Sequence, residues 1–275
     1  MSADVAGALA QARTLGLDRL DAQLLLAHHM GRDRAWLLAH DDATLTPLAQ
    51  AAFDIDCRRR ADAVPMAYLL GEREFHGLML KLTPDVLVPR PDTETLVDWA
   101  LSILGHELAA LPHPEVVDLG TGSGAIALAL KQRVHQARLS ASDTSAAALA
   151  VARGNARAHR LDIEFRLGDW WQPWRDRHFD VVVCNPPYIA AGDAHLAALR
   201  HEPAMALSPG TDGLCAIDAV VSGAPRHLRR GGWLLLEHGH DQASAVCQRL
   251  RDARFVKVQT RADLSGNARC SAGRR

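Results

Sequence analysis

The sequence predicts an α/β protein in which a doubly wound, mainly parallel sheet follows a small all-helical segment. Three observations carry that reading. From Glu115 onward, short apolar strand-like runs alternate with helix-like segments, the rhythm of βαβ units with right-handed crossovers. A glycine-rich stretch, Asp118-Leu119-Gly120-Thr121-Gly122-Ser123-Gly124-Ala125, sits where the first strand of that series gives way to its helix. Residues 1 to about 72, by contrast, carry helical spacing. A chain of 275 residues is expected to hold two domains. The divisions expected are 1–72 for a helical domain, 73–91 for a β-hairpin linker and 92–275 for the sheet domain.

In the helical segment, Val5, Leu9, Ala12 and Leu15 recur on one helical face and Gly16 closes it. Asp18 can cap a second helix whose stripe runs through Leu20, Leu24, Leu25 and Ala27 to Met30, with Gly31 as its stop. Ala35 to Ala39 reads as a short turn of helix. Thr46-Pro47 is a cap followed by proline at the first helical position, opening a helix that runs to about Ala63. Arg58-Arg59-Arg60 near its end complements the helix dipole. This bundle carries no catalytic signature, so a partner-binding or lid role is expected for it.

Residues 73 to 91 change character. Glu74 to Leu82 is short, apolar and interrupted by Gly77, and Val86-Leu87-Val88 follows a Thr-Pro-Asp turn. Two extended pieces around a turn predict a hairpin. In Arg90-Pro91-Asp92-Thr93-Glu94, either Asp92 or Thr93 can cap the next helix, whose buried face is Leu96, Val97, Ala100, Leu101 and Leu104. Capping does not explain Arg90.

The alternation then runs strand 115–119, helix 123–133, strand 137–142, helix 145–159, strand 163–167 and strand 179–184. A long loop, a helix to Arg230, the strand 232–237, a further helix and the strand 255–259 complete it.

Composition narrows the function classes. Hydrophobic residues at 48% and charged residues at 23% are ordinary for a soluble globular protein. Lys+Arg 31 against Asp+Glu 32 leaves a net charge of −1, so no strong basic field holds a nucleic-acid backbone nonspecifically. Five scattered cysteines without a CxxC pair fit neither a disulfide framework nor a zinc site, and they fit a reducing, cytoplasmic setting. The first residues show no signal-peptide pattern, and no apolar run approaches a membrane span. His238 and His240 lack nearby carboxylate or cysteine ligands in sequence, so no metal is expected.

The glycine-rich loop lets backbone approach a ligand closely and satisfies the loose dinucleotide fingerprint, with Asp143 ending the next strand. The loop alone does not separate a nicotinamide from another adenosine cofactor. Asp118, two residues before Gly120, would repel a pyrophosphate and attract the ammonium or sulfonium of S-adenosylmethionine. Asp143 suits a ribose diol. Gly168-Asp169-Trp170-Trp171 follows the third strand, where Asp169 can accept from an exocyclic amine and Trp170 can cover a ring face. Trp171 reads equally as a roof on the core.

Phe179 to Cys184 reads as a buried strand that ends in Asn185-Pro186-Pro187-Tyr188. The Asn185 side-chain oxygen and the Pro186 carbonyl are acceptors, and Tyr188 offers a stacking face, a set suited to a flat NH2 group. The structural alternative is a Pro-Pro strand stop with Asn185 in a turn.

The chain resembles the release factor glutamine methyltransferases, the HemK/PrmC-type family of class I S-adenosylmethionine-dependent enzymes. The resemblance runs through Arg90 to Glu94, Asp118 to Gly124, Asp143, Asp169-Trp170 and Asn185 to Tyr188. It continues through Glu202-Pro203 with Ala206-Leu207, Asp212-Gly213-Leu214, Leu236 to Gly239 and Asp263 to Asn267. It implies a Rossmann-like, mainly parallel seven-stranded sheet with a small N-terminal helical, substrate-binding domain. It further implies methylation of the N5 amide of the glutamine in the Gly-Gly-Gln motif of bacterial class I peptide chain release factors. Carried over by position, Asp118, Gly120, Thr121, Gly122, Ser123, Gly124, Asp143, Asp169, Trp170 and Asn185 would bind S-adenosylmethionine. Asn185, Pro186, Pro187 and Tyr188 would hold the glutamine, with Asn185, Pro186 and Tyr188 at the reacting amide. The expected enzyme is a monomer whose partner is a release factor, not a membrane or a nucleic acid. One departure is Asn267-Ala268-Arg269, which lacks the acidic residue the family places between Asn and Arg.

Two enzymatic rivals share the chemistry: a glutamine methyltransferase acting on a ribosomal protein, and a nucleic-acid amino methyltransferase acting on adenine N6 or guanine N2. The second would need a flipped base on Tyr188 and a basic approach surface, which the balanced charge does not favour. A nicotinamide oxidoreductase leaves Asn-Pro-Pro-Tyr without a role, and a noncatalytic binding module leaves both it and the cofactor glycines unexplained.

Overall fold

The computed structural model describes residues 3–208 and 212–275. The chain divides after Glu72 into two compact units. The first holds α1 (Val5–Thr14), α2 (Arg19–Met30), α3 (Arg34–Ala39), α4 (Pro47–Ala61) and α5 (Met66–Leu70). The Asp18 carboxylate accepts from Leu20 N at 2.7 Å, and the Thr46 hydroxyl accepts from Ala49 N at 3.2 Å. Gly31 ends α2 in the left-handed region, φ 61°. These three stop and start signals act as their residue types predict.

The buried stripes differ from the expected ones. Val5, Ala8 and Ala12 of α1 pack with Leu25 and Leu26 of α2 and Phe53 of α4. Leu15 is 40% exposed because α1 ends at Thr14 and leaves it beyond the last turn. Leu20, 46% exposed, lies in the first turn of α2. In a run of three leucines helical spacing does not choose the pair, and packing turns Leu25 and Leu26 inward while Leu24 stays half-buried. α5 was not expected; Gly71 stops it at φ 71°.

The boundary falls one residue into β1 (Glu72–Phe75), which pairs with β2 (Leu78–Lys81) in a hairpin. Its turn is His76-Gly77, both at positive φ (49° and 81°), and not the expected Thr-Pro-Asp. Two consecutive positive-φ residues give the turn twist that matches paired strands. Val86 to Val88 is therefore not a strand; Val86 and Val88 are buried. A single 3-10 turn, Pro91–Thr93, leads into α6 (Glu94–Ser102), on which Leu96, Val97 and Ala100 are buried and Leu101 is half-buried. Neither Asp92 nor Thr93 caps α6.

The sheet strands are β3 (Glu115–Leu119), β4 (Arg138–Asp143), β5 (Glu164–Leu167), β6 (Phe179–Cys184), β7 (Leu228–Glu237), β8 (Val256–Ala262) and β9 (Ala268–Arg274). The helices between them are α7 (Ala125–Arg133), α8 (Ala146–His159), α9 (His195–Ala198), α10 (Cys215–His227) and α11 (Ala243–Asp252). The strand order is β5-β4-β3-β6-β7-β9-β8; β9 pairs antiparallel with both β7 and β8, and the other pairings are parallel. β9 was not read from the sequence, and β7 starts at Leu228 instead of Gly232. A register shift opposite Phe179 and Val181 takes up the extra residues.

Every residue of β3 and β6 is buried, as apolar strands covered on both faces require. Val117, Leu119, Val182, Leu234 and Leu236 pack against Val220 and Ala224 of α10. Trp174 closes this core edge-on to Phe179, with ring centroids 5.7 Å apart. The chain winds from β3 to β4 and β5 on one side, and from β6 to β7 on the other. The switch lies between β3 and β6, where Leu119 pairs with Cys184. The segments beginning at Gly120 and Asn185 therefore leave adjacent strands at one carboxyl edge, the place where open α/β sheets bind ligands.

Candidate active site

The glycine-rich loop is held by its own backbone and by two carboxylates. Gly120 N and Thr121 N both donate to Ser142 O at 2.9 Å, joining the loop to the end of β4. Asp143 accepts from Gly122 N and Ser145 N, each at 2.9 Å, and so fixes the loop and the start of α8 together. Asp118 is wholly buried and does not reach out toward solvent. Its Oδ2 accepts from Thr121 Oγ1 at 2.6 Å and from Ala127 N at 3.3 Å, while Oδ1 has no partner among the described residues. Burial pushes the Asp118 carboxyl up to about 7, against the pull of those two hydrogen bonds and with the nearby Asp143 charge adding to the rise. Gly124 opens α7 at φ 86°, and a Cβ there would stand 3.3 Å from Ala152 Cβ, so the close approach of α7 and α8 needs glycine.

The Trp170 ring lies over Gly120, where an added Cβ would meet it at 3.5 Å, while a Cβ at Gly122 would meet open space. Asp169 is exposed beside it. Trp171 is a roof: its Nε1 donates to Val220 O at 3.1 Å and its ring stacks on His227 at 4.7 Å. A buried acceptor without a donor, a carboxylate at the loop, open space at Gly122 and an aromatic face together fit a cationic adenosine cofactor.

At the end of β6, Asn185 Nδ2 donates to Thr93 Oγ1 at 3.2 Å. That bond turns the amide so that Oδ1 is available as an acceptor. Among the described residues neither Asn185 Oδ1 nor the Pro186 carbonyl accepts a hydrogen bond. Asn185, Pro186 and Tyr188 line a cavity of about 200 Å³ together with Arg90 and Glu237. The mouth of the loop is pinned twice. Ile189 N donates to Leu207 O at 3.0 Å, and Gln242 Nε2 donates to Tyr188 O at 3.0 Å.

Arg90, which capping left unexplained, pairs with the Glu202 carboxylate; that carboxylate also accepts from Val88 N at 3.1 Å. Glu202 thus ties residues 88–90 to the segment that carries Leu207. Tyr188 OH donates to Glu237 Oε1 at 3.1 Å. Burial drives the Tyr188 phenol well above its ordinary range, with the Glu237 charge adding to the rise, so it is no general base at neutral pH. Arg269 lies between Asp263 (3.2 Å) and Asp92 (3.3 Å), and Asp263 also binds the backbone N–H groups of Ser265 and Asn267. Ala268, at the family departure, sits in β9 opposite Ala262 and takes no part in this set. His238 is buried with Nδ1–H on Gly239 O and Nε2 on Ser271 Oγ, both at 2.8 Å. Burial lowers its pKa, so it stands as a neutral core residue.

Comparison with known proteins bears on this geometry. Residues 93–261 match the Methyltransferase small domain, and residues 3–71 match the PrmC N-terminal domain. A release factor glutamine methyltransferase of Bordetella pertussis is 50% identical over 262 residues, covering 94% of this chain and 95% of its own length. One from Xylella fastidiosa is 46% identical over 270 residues, with 97% of each chain covered. The chain belongs to the release factor glutamine methyltransferases. More distant structures share the fold. The hMettl16 catalytic domain superposes with a TM-score of 0.58 at 16% identity, covering 82% of this chain and 81% of that one. The 16S rRNA N2 methyltransferase RsmC of T. thermophilus, in complex with AdoMet and guanosine, gives 0.56 at 20% identity, covering 74% and 49%.

Gly213, Gln242 and Arg269 carry no site role in a reading of the sequence, and Thr93 only that of a cap, because tertiary contacts alone join them to the Asn-Pro-Pro-Tyr loop and its surroundings. Thr93 carries the amide orientation, so Thr93→Val should lower kcat about tenfold while leaving the melting temperature within a few degrees of the parent. Equal kcat in the variant would show that Asn185 holds its orientation without Thr93.

Asp118 makes a separate prediction. The folded protein holds a proton on Asp118 up to about 7, whereas an ordinary aspartate releases it near 3.8. Between those values the folded state binds more protons than the unfolded state, so stability falls as pH rises through that window. Asp118→Asn should make the slope shallower by about one proton, measured by urea unfolding at a series of pH values. An unchanged slope would place the titration elsewhere.

Proposed function

We propose that the enzyme methylates the side-chain amide nitrogen of the glutamine in the Gly-Gly-Gln motif of bacterial class I peptide chain release factors. The observation that carries this is the Asn185 amide, anchored through Nδ2 on Thr93 so that Oδ1 stands free beside the free Pro186 carbonyl. Two acceptors on successive residues that line one small cavity match the two N–H groups of a primary amide. S-adenosylmethionine supplies, when bound, a methyl group on a positively charged sulfur. Gly120 to Gly124, Asp118, Asp143, Asp169 and Trp170 are the residues that would hold it.

An amide nitrogen is a poor nucleophile because its lone pair is delocalised into the carbonyl. By accepting both N–H bonds, Asn185 Oδ1 and the Pro186 carbonyl fix the nitrogen with a π face toward the edge where β3 and β6 end. Tilt of the nitrogen toward tetrahedral geometry exposes the lone pair, and the two acceptors stabilise the N–H groups as they become more acidic. Tyr188 and Pro187 wall the amide. The product has one N–H fewer, so one proton is released to water. Positioning of this kind can supply about 7–11 kcal/mol. The test is tandem mass spectrometry on unmethylated release factor incubated with the enzyme and S-adenosylmethionine. A methyl group on the glutamine side chain supports the reading, and a methyl group on another residue overturns it.

A further inference from the structure

We propose that Glu237 is a positioning residue for methyl transfer, its ionised carboxylate holding Tyr188 in place so that turnover depends on that charge. This rests on the glutamine-methylation reading above. Glu237 is the last residue of β7, and the preceding Leu236 pairs with Cys184, the residue just before Asn185. Its carboxylate therefore emerges at the sheet edge beneath the Asn-Pro-Pro-Tyr loop. It is 1% exposed, yet it belongs to the wall of the same cavity as Asn185 and Pro186.

Oε1 takes the Tyr188 hydroxyl, and Oε2 has no partner among the described residues. Tyr188 is thereby held at both ends, through its carbonyl by Gln242 and through its phenol by Glu237. A carboxylate accepts from the phenol with the strength of a charged partner; a neutral carboxyl does so far more weakly. The groups facing Glu237 come from four other elements: Asp92 before α6, Arg269 and Cys270 on β9, Cys184 on β6, and Tyr188 itself. Arg90 shares the cavity wall. Arg269 is the cation beside Glu237, but it also pairs with Asp92 and Asp263, so its charge is divided. Burial pushes the Glu237 carboxyl up to about 7, against the hydroxyls of Thr93 and Tyr188 and the charge of Arg269, with Asp92 opposing them. Both protonation states are thus reached near neutral pH, and loss of the charge releases the ring.

The test is steady-state methylation of a release factor from about pH 5.5 to 9, with kcat and KM measured separately for the parent, Glu237→Gln, Tyr188→Phe and the double variant. In the parent, kcat should rise with pH through about 7. Glu237→Gln should lose that inflection and run about tenfold slower at high pH, with KM for the release factor changed less than about threefold. Tyr188→Phe keeps the ring and should fall as far, and the double variant should fall no further than either single one. The same inflection in Glu237→Gln, or additive losses in the double variant, would overturn the proposal. Robust but pH-independent transfer by the parent would overturn it and leave the glutamine reading intact. No transfer by the parent to the release factor would remove both.

Discussion

Replacing Asn185 by Ala should lower kcat about a thousandfold, because on the proposed reading the substrate amide loses the acceptor that orients it. The expected loss is large for a structural reason. Neither Oδ1 of Asn185 nor the Pro186 carbonyl accepts a hydrogen bond among the described residues, and the Nδ2 bond to Thr93 fixes the side chain before any substrate arrives. A preorganised acceptor needs no reorganisation at the moment of reaction, so its removal falls on the transition state more than on binding. KM for the release factor should move much less than kcat, since the docking of a folded protein does not depend on one amide. Steady-state methylation with Asn185→Ala and Asn185→Asp checks this. A kcat within tenfold of the parent would remove Asn185 from the reacting amide.

Gly213→Ala should cost about a hundredfold in kcat although residue 213 does not line the cavity. Gly213 sits at φ 70°, a region that L side chains rarely adopt. A Cβ there would fall inside the contact distance of the Tyr188 carbonyl oxygen and 2.9 Å from Gln242 Nε2, the donor that pins that carbonyl. Backbone cannot yield as a flexible side chain can, so the Asn-Pro-Pro-Tyr loop must shift. A displacement of about 1 Å at a positioning loop is enough for a loss of that size. Strain at positive φ adds a stability loss of about 1–2 kcal/mol, to be read from urea unfolding. Unchanged kinetics with lowered stability would mean that the loop absorbs the added methyl elsewhere.

Much of this architecture is readable in the chain itself, and the failures have identifiable physical causes. β6 and its Asn-Pro-Pro-Tyr end were found to the residue, because a β-branched apolar run closed by two prolines has one reading. The glycine loop and Asp143 were placed together by their spacing, and the Gly122 N to Asp143 bond joins them. Thr93 was misread because a threonine before a helix is a cap signal in any local reading. Its hydroxyl is taken instead by Asn185, which lies far along the sequence. The hairpin turn was misplaced because Thr-Pro-Asp carries stronger turn residues than His76-Gly77, whose positive φ angles depend on strand pairing. Asp118 was expected to meet a cation directly. Its Oδ2 bonds to Thr121 and Ala127 show that it also builds the loop from within, while Oδ1 has no partner among the described residues. Glu237, Arg269 and Gln242 converge only through strand order, which brings β7 and β9 beside β6, and no local motif announces that convergence.

The most direct measurement is transfer of a tritiated methyl group from S-adenosylmethionine to purified, unmethylated release factor. The Gly-Gly-Gln→Gly-Gly-Ala release factor, a ribosomal-protein extract and a nucleic-acid duplex serve as the alternative substrates. Label on the intact release factor alone, lost with Asn185→Ala, is the expected result. Label on the Gly-Gly-Ala factor, or on a ribosomal protein or the duplex in place of the release factor, would contradict it.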